Sequence, residues 1–295
     1  MLGCANVDKT KSRPPVAQTI KRMALIVFSH GNSFAASTYN QLFKSLRARH
    51  FSVKAVEKFG HDPQYPVTNN WPHLVQQLAD FARAEVKITG TPAYLVGHSL
   101  GGFLSIMCAA RYPELARGVV LLDAPILGGW RATTLGMIKR TRLVGSVSPA
   151  SVSRKRKNHW PSAQAALAHF QHKRAFAKWE PQVLADYITH GTHDENDQRV
   201  LSFDRDIETL IYNTLPDNLD RLLRRHPMQC PVAFIGGDQS AEMKQVGMAM
   251  TEKLSHGRIM MLDGSHLFPM EKPIATAAAM EASLLSMGAN PTQQV

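Results

Sequence analysis

The chain has 295 residues, 44% hydrophobic and 19% charged, which suits one large α/β domain or two small ones and an ordinary globular protein. No apolar run reaches the length of a membrane span, and residues 1–22 hold no apolar stretch of the kind a secretory signal needs. Three widely spaced cysteines (Cys4, Cys108 and Cys230) give neither a disulfide framework nor a metal-ligand spacing, so cytoplasmic is the default location. The net charge of +11 is uneven: residues 1–22 carry five Lys/Arg against one acid, residues 131–226 sixteen against ten, and the remainder thirteen against twelve. No nucleic-acid motif accompanies this charge, so the basic stretches, Arg154-Lys155-Arg156-Lys157 included, read as solvated faces.

In chain order, Met23–Ser29 is a short apolar run that reads as a buried strand. A helical pattern through Leu42 and Leu46 follows. Phe51–Phe59 reads as a second strand, and Trp71–Val86 as a helix with Leu74, Leu78 and Phe81 on one face. Ala93–Val96 is a third strand, Leu100–Arg111 a helix and Gly118–Leu122 a fourth strand. The alternation then stops: residues 126–226 are mostly helical in pattern, basic, and rich in His and Trp. It resumes with Val232–Ile235, a helix near Ala241–Ser255, a strand at Arg258–Leu262 and a last helix from about Pro273. Such alternation predicts an α/β fold: a mostly parallel sheet of about six strands, right-handed crossovers and helices on both faces. The expected organisation is a disordered tail at 1–22, a core at 23–125 and 227–287, a helical cap inserted at 126–226, and a C-terminal tail at 288–295.

Gly97-His98-Ser99-Leu100-Gly101-Gly102 contains G-x-S-x-G between an apolar strand and an amphipathic helix. A serine on that sharp turn has a strained backbone, and small residues two places either side remove clashes. The turn presents the Ser99 hydroxyl near a helix N-terminus whose amides favour anions. Ser99 is therefore the expected nucleophile. His266, in Gly264-Ser265-His266-Leu267-Phe268-Pro269, follows the last strand and is the expected general base. An oxyanion needs two backbone N–H donors, and the candidates are Leu100, after the nucleophile, and Asn32, in the turn Ser29-His30-Gly31-Asn32. His30 and His98 each precede a tight turn and are expected to hydrogen-bond backbone.

Taken together, the H-G turn, the G-H-S-L-G-G elbow and the G-S-H-L-F-P-M-E-K-P ending resemble the α/β-hydrolase superfamily in its capped, esterase-like branch. So do Arg111-Tyr112-Pro113-Glu114 and Val119–Asp123. The resemblance covers about residues 23–125 and 227–287. Members usually begin with two further antiparallel strands, which residues 1–22 do not supply; hence the expected six-stranded sheet. The resemblance implies a third triad member, a carboxylate after the penultimate strand at the end of a G-x-x-D turn. In Gly236-Gly237-Asp238-Gln239-Ser240 that slot falls on Gln239 or Ser240, and Asp238 is off by one or two positions. The other place used in the superfamily is the end of the strand after the nucleophile helix, where Asp123 stands. Asp123 is the first candidate and Asp238 the second.

Leu127, Trp130 and Phe268 are candidates for a substrate pocket. No dinucleotide fingerprint and no P-loop occurs, so no cofactor is expected. His190-Gly191-Thr192-His193-Asp194-Glu195 reads as a polar loop between cap helices, with no metal expected. The implied function is hydrolysis of a carboxylic ester or related acyl compound through an acyl-serine intermediate. Alternatives are thioester or carbon–carbon bond cleavage by the same triad, and a non-catalytic ligand-binding protein on the same fold. The expected partner is a small-molecule acyl substrate, anionic if the basic cap is a guide, with no nucleic acid and no membrane.

Overall fold

Strand β1 (Leu25–Ser29) is buried along its whole length because both of its faces are covered. A computed structural model describes residues 23–126 and 149–290; the expected tail at 1–22, Leu127 and Trp130 lie outside the described residues. Alternation of side chains along each strand separates two cores. Leu25 and Val27 of β1, Leu95 of β3 (Ala93–His98), Val119 and Leu121 of β4 (Ala116–Leu122), and Phe234 face one of them. Helices α2 (Pro72–Thr89) and α3 (Leu100–Arg111) close that side. Ile26, Phe28, Val96, Val120, Leu122 and Ile235 face the other, closed by α1 (Asn40–Ala48) and the late helix Pro273–Ser286.

With β2 (Ser52–Ala55) and two late strands, Val232–Gly237 and Ile259–Leu262, these form one six-stranded sheet in which every pairing is parallel. The spatial order is β2, β1, β3, β4, Val232–Gly237, Ile259–Leu262. Strand number matches the sequence reading, and so do the positions except at β2, which is Ser52–Ala55 where Phe51–Phe59 was expected, because pairing with β1 ends at Ala55. The C-terminal ends of all six strands therefore point the same way, as crossover connections require.

Between β4 and the fifth strand of this sheet lies the inserted segment. Its described part holds α4 (Pro149–Lys155), β5 (His159–Trp160), α5 (Ala163–Gln171), α6 (Pro181–Gly191), β6 (Thr192–Glu195), β7 (Gln198–Leu201), α7 (Arg205–Asn213) and α8 (Leu219–Arg225). The remaining elements are β8 (Val232–Gly237), α9 (Ala241–Val246), α10 (Ala249–Ser255), β9 (Ile259–Leu262), α11 (Phe268–Glu271) and α12 (Pro273–Ser286). The insertion is not wholly helical: β5, β7 and β6 make a small antiparallel sheet. The stretch His190–Glu195, expected as a loop, ends α6 and then runs as β6. The cause is the two-residue turn Asn196-Asp197, with φ of 47° and 59°, between paired Glu195 and Gln198. Positive φ at both central residues is the hairpin geometry that Asn and Asp tolerate, so the pair was a readable signal. His193 in that hairpin is exposed and faces Ser202 and Glu195.

Among the described residues no helix is long and apolar enough to cross a membrane.

Phe234, fully buried in β8, is a measure of this packing. Phe234→Ala is expected to cost about 3–5 kcal/mol in urea-induced unfolding. Ile88→Ser, at a residue 74% exposed on α2, should stay within about 0.5 kcal/mol of the parent.

Candidate active site

Ser99, Asp123 and Asp238 each follow the last residue of a parallel strand. Each is pinned there by its own amide: Ser99 N–H donates to Leu122 O (3.0 Å), Asp123 N–H to Ile235 O (2.8 Å) and Asp238 N–H to Leu262 O (2.9 Å). The sheet's own ladder thus delivers all three to one edge.

Ser99 has φ 52° and ψ −116°, outside the favourable regions for an L-residue, a strain of about 1–3 kcal/mol that the surroundings must hold. The glycines make the turn possible. A Cβ on Gly97 would lie 2.0 Å from Gly101 O, and one on Gly101 would lie 2.0 Å from Ser29 O. Leu100 opens α3, where the backbone N–H has no intrahelical acceptor and is available to an anion.

His266 lies on the loop between β9 and α11. Its Nδ1–H donates to Asp123 Oδ2 at 2.6 Å, which leaves Nε2 as the basic nitrogen. Asp123 is buried, and it accepts two further bonds: Gly237 N–H to Oδ1 (2.9 Å) and Ser240 Oγ–H to Oδ2 (2.6 Å). Asp238 is engaged elsewhere, accepting the Gly264 N–H at 3.1 Å. Ser240, one of the two positions on which the expected acid slot falls, donates instead to the Asp123 carboxylate at the end of β4. Glu242 Oε2 stands 3.8 Å from His266 Nδ1. Asp123, Glu242 and His266 have ligand atoms within 4.8 Å of one another, but the 2.6 Å Nδ1–Oδ2 separation is that of a hydrogen bond. A cation bonded to both at about 2.0–2.2 Å would spread them further apart.

The charges follow from this geometry. Burial alone would raise the Asp123 carboxyl, but the bond and charge of His266, then Ser240 and Gly237, hold it below its usual value. Burial would lower His266; the Asp123 bond and the Glu242 charge outweigh it, and the imidazole titrates above 6.5.

The Ser99 and His266 segments meet one residue from the serine. His98 Nε2 contacts the His266 carbonyl at 2.8 Å, and the two imidazole rings are 5.0 Å apart. A carbonyl only accepts, so Nε2 of His98 carries the proton and Nδ1 accepts from Tyr39 Oη–H at 2.7 Å. Tyr39 Oη in turn accepts the Gly31 N–H at 2.9 Å. His30 is fixed likewise: Nδ1–H donates to Gly31 O (2.8 Å) and Nε2 accepts from Phe59 N–H (2.9 Å). Burial pushes His98 down to about 3 and His30 down to about 4, so both stay neutral. Both histidines hydrogen-bond backbone, as expected for turn residues. Tyr39 was not foreseen, since it acts across 59 residues of chain.

Asn32 is buried, and its side chain is committed: Nδ2–H donates to Glu208 O (3.1 Å) and Oδ1 accepts from Ser33 N–H (3.1 Å). Its backbone amide is the part left for an oxyanion. Phe268 is fully buried in the core at the start of α11, so it does not line an open pocket. The reason is its position at the head of a helix turned into the sheet. Glu271, which the sequence places at the start of the last helix, takes both the N–H and Oγ–H of Ser265, beside His266.

A cavity of about 1370 Å³ lies against the loop after β1, at Ser33 and Phe34. Its lining includes Ser33, Phe34, Phe170, Phe176 and Tyr212, with exposed Lys155, Lys157, Lys173 and Arg174 around them. Arg156 also lines it but is largely buried and paired, contrary to the reading of the basic run: its guanidinium bonds Glu208 and Tyr187.

The family model "Alpha/beta hydrolase family" matches residues 26–279. A monoglyceride lipase of Rattus norvegicus is 28% identical over 130 residues, 43% of this chain and 43% of that protein. A 2-(acetamidomethylene)succinate hydrolase of Mesorhizobium japonicum is 33% identical over 103 residues, 34% of this chain and 35% of that protein. The chain thus spans about half or less of the length of the curated relatives it matches. In three dimensions it is similar to the crystal structure of E-2-(acetamidomethylene)succinate hydrolase, with a TM-score of 0.68 and 21% identity over 88% of this chain and 91% of that one.

The His266 imidazole should titrate above 6.5 in an NMR pH series and drop in both Asp123→Asn and Glu242→Gln, while His98 stays neutral throughout. A His266 pKa unmoved by both substitutions would mean the carboxylates do not set its charge.

Proposed function

The chain belongs to the alpha/beta hydrolase family, and from that premise we propose that it is a serine hydrolase cleaving a carboxylic ester or related acyl compound through an acyl-Ser99 intermediate. The observation that carries this reading is the 2.6 Å bond from His266 to Asp123 beside the strained turn of Ser99. His266 Nε2 takes the Ser99 proton as Oγ attacks the acyl carbon, then returns it to the departing alcohol. Asp123 fixes the imidazole tautomer and stabilises the imidazolium. The amides of Leu100 and Asn32 receive the oxyanion. Water, deprotonated by the same imidazole, then releases the acid and restores Ser99.

In this reading residues 126–226 are the cap, and the cavity beside Ser33 and Phe34 takes the substrate. Its aromatic walls suit an acyl or alcohol chain, and its rim of four exposed cations suits an anionic one. A relative whose name carries a succinate accords with that charge preference. Thioester or carbon–carbon bond cleavage would use the same groups and differ in the substrate alone.

A fluorophosphonate probe and a short-chain nitrophenyl ester test the reading. Stoichiometric labelling should vanish in Ser99→Ala; a folded protein that never labels would be a binding protein instead. Asp123→Asn should lower kcat by about 10⁴-fold, as the wrong tautomer does elsewhere, and Asp238→Asn by less than about tenfold. The opposite ranking would return the acid role to Asp238. Reversing the rim with Lys173→Glu and Arg174→Glu should raise KM several-fold, roughly, for a half-ester of a dicarboxylic acid and leave a neutral ester unchanged.

A further inference from the structure

Outside the site, the carboxylate of Glu208, on α7 of the insertion, accepts from two side chains, Arg156 and Ser33. Glu208 is 3% exposed. Its two oxygens accept from Arg156 Nη1, at 3.1 Å and 2.9 Å. The same carboxylate accepts from Ser33 Oγ–H, and the Glu208 carbonyl accepts from Asn32 Nδ2–H at 3.1 Å. One residue of the insertion therefore holds two consecutive residues of the oxyanion loop, by side chain and by backbone.

The clamp is itself fixed. Arg156 Nη2–H donates to Tyr187 Oη at 2.7 Å, so the guanidinium is spent on two partners. Arg205 Nη1–H donates to Arg156 O at 2.9 Å and anchors the chain after α4. Ser153 of α4 and Thr209 of α7 join through their hydroxyls at 2.8 Å. Tyr212, one helical turn beyond Glu208, meets the side chains of Ser33 and Asn32 as well. Ser33 has φ 78°, a left-handed conformation that a serine does not hold without support. Both carboxylate oxygens accept from one guanidinium nitrogen while the other, Nη2, is held by Tyr187, so charge-assisted bonds fix the pair from two directions.

We propose that Glu208, oriented by Arg156, is a positioning residue for the oxyanion donor: it sets the loop conformation that aims the Asn32 amide at the developing charge. The inference rests on the acyl-hydrolase reading above. It makes the insertion a working part of the catalytic framework as well as a cover. Displacing α4 or α7 would release Ser33 and Asn32 together.

Three variants test it with an uncharged nitrophenyl ester and the fluorophosphonate probe. Ser33→Ala removes one bond of the clamp and leaves the ion pair intact. Glu208→Gln removes the charge but strands a buried arginine, so it risks misfolding. Arg156→Met with Glu208→Leu replaces the pair by apolar groups of similar size, a change that proteins often tolerate. Ser33→Ala and the double variant should each lower kcat by about 10–100-fold, short of the 10²–10³-fold loss of a whole oxyanion donor. KM should stay within about twofold, the melting temperature of Ser33→Ala should hold, and phosphonylation should slow in step with kcat. Wild-type kcat in Ser33→Ala and in the folded double variant would overturn the inference alone, as would a loss confined to KM. A wild-type protein whose Ser99 stays unlabelled would sink the hydrolase reading and this inference with it.

Discussion

The carboxylate of Asp123 joins chain segments more than a hundred residues apart, and the candidate site depends on how it is satisfied. It is buried, and an unpaired charge there would cost several kcal/mol. Three donors meet it: an amide at the end of β8, a hydroxyl from the turn after β8, and the imidazole of His266. The first two come from the neighbouring strand and so are set by sheet register; the third is on a loop. The carboxylate therefore transfers the precision of the parallel ladder to a residue the ladder does not contain. Its left-handed backbone, φ 43°, is one that aspartate tolerates better than most residues and turns the side chain toward those donors.

A second wire runs on the opposite side of His266. The Gly31 amide, the Tyr39 hydroxyl, the His98 ring and the His266 carbonyl form a continuous chain of bonds. Each link has its donor and acceptor roles fixed by chemistry, because the carbonyl and the amide at its ends leave no freedom of tautomer. Burial keeps His98 uncharged, so an acid-titrating imidazole does not sit as a competing cation beside His266. The loops after β1, β3 and β9 are thus tied by neutral bonds, and His266 and Asp123 by charged ones. An arrangement built this way keeps its geometry when the His266 imidazole changes charge.

How much of this was legible in the sequence divides by range. The six strands and their helices were readable because fully buried strands show as short apolar runs, and helices show their own period. Ser99 was readable because a strained strand-to-helix turn demands small residues at fixed offsets, Gly97 and Gly101, within five positions. His266 was readable through chain order and the family likeness. The choice between Asp123 and Asp238 was not, since both end parallel strands and both are two residues or fewer from a plausible slot. What separates them is which oxygen faces the imidazole, decided by the register of β4 against β8. Ser240 carries no signature of a carboxylate's hydrogen-bond donor, as a serine after Gly-Gly-Asp-Gln reads as part of a turn. The small sheet of the insertion hid for a different reason: β5 has two residues, and β6 is the short polar run Thr192–Glu195, whose one β-branched residue and lack of apolar alternation leave the Asn196-Asp197 turn as its signal.

The basic run at residues 154–157 shows how a charge pattern misleads when its partners are distant. Four cations in a row look like one solvated face, yet the third is turned inward because Glu208 and Tyr187, from two other helices, take both ends of its guanidinium. That pair is neutral as a unit and adds little to the field in the cavity. The field comes instead from Lys155 and Lys157 on one side and Lys173 and Arg174 on the other, all exposed. Surface charges act over about 8–10 Å at physiological salt, so these four influence an anion already at the cavity mouth more than one far off in solution. Within the insertion one arginine, Arg156, is held by Glu208 near the loop after β1, while Lys155, Lys157, Lys173 and Arg174 stay exposed at the cavity.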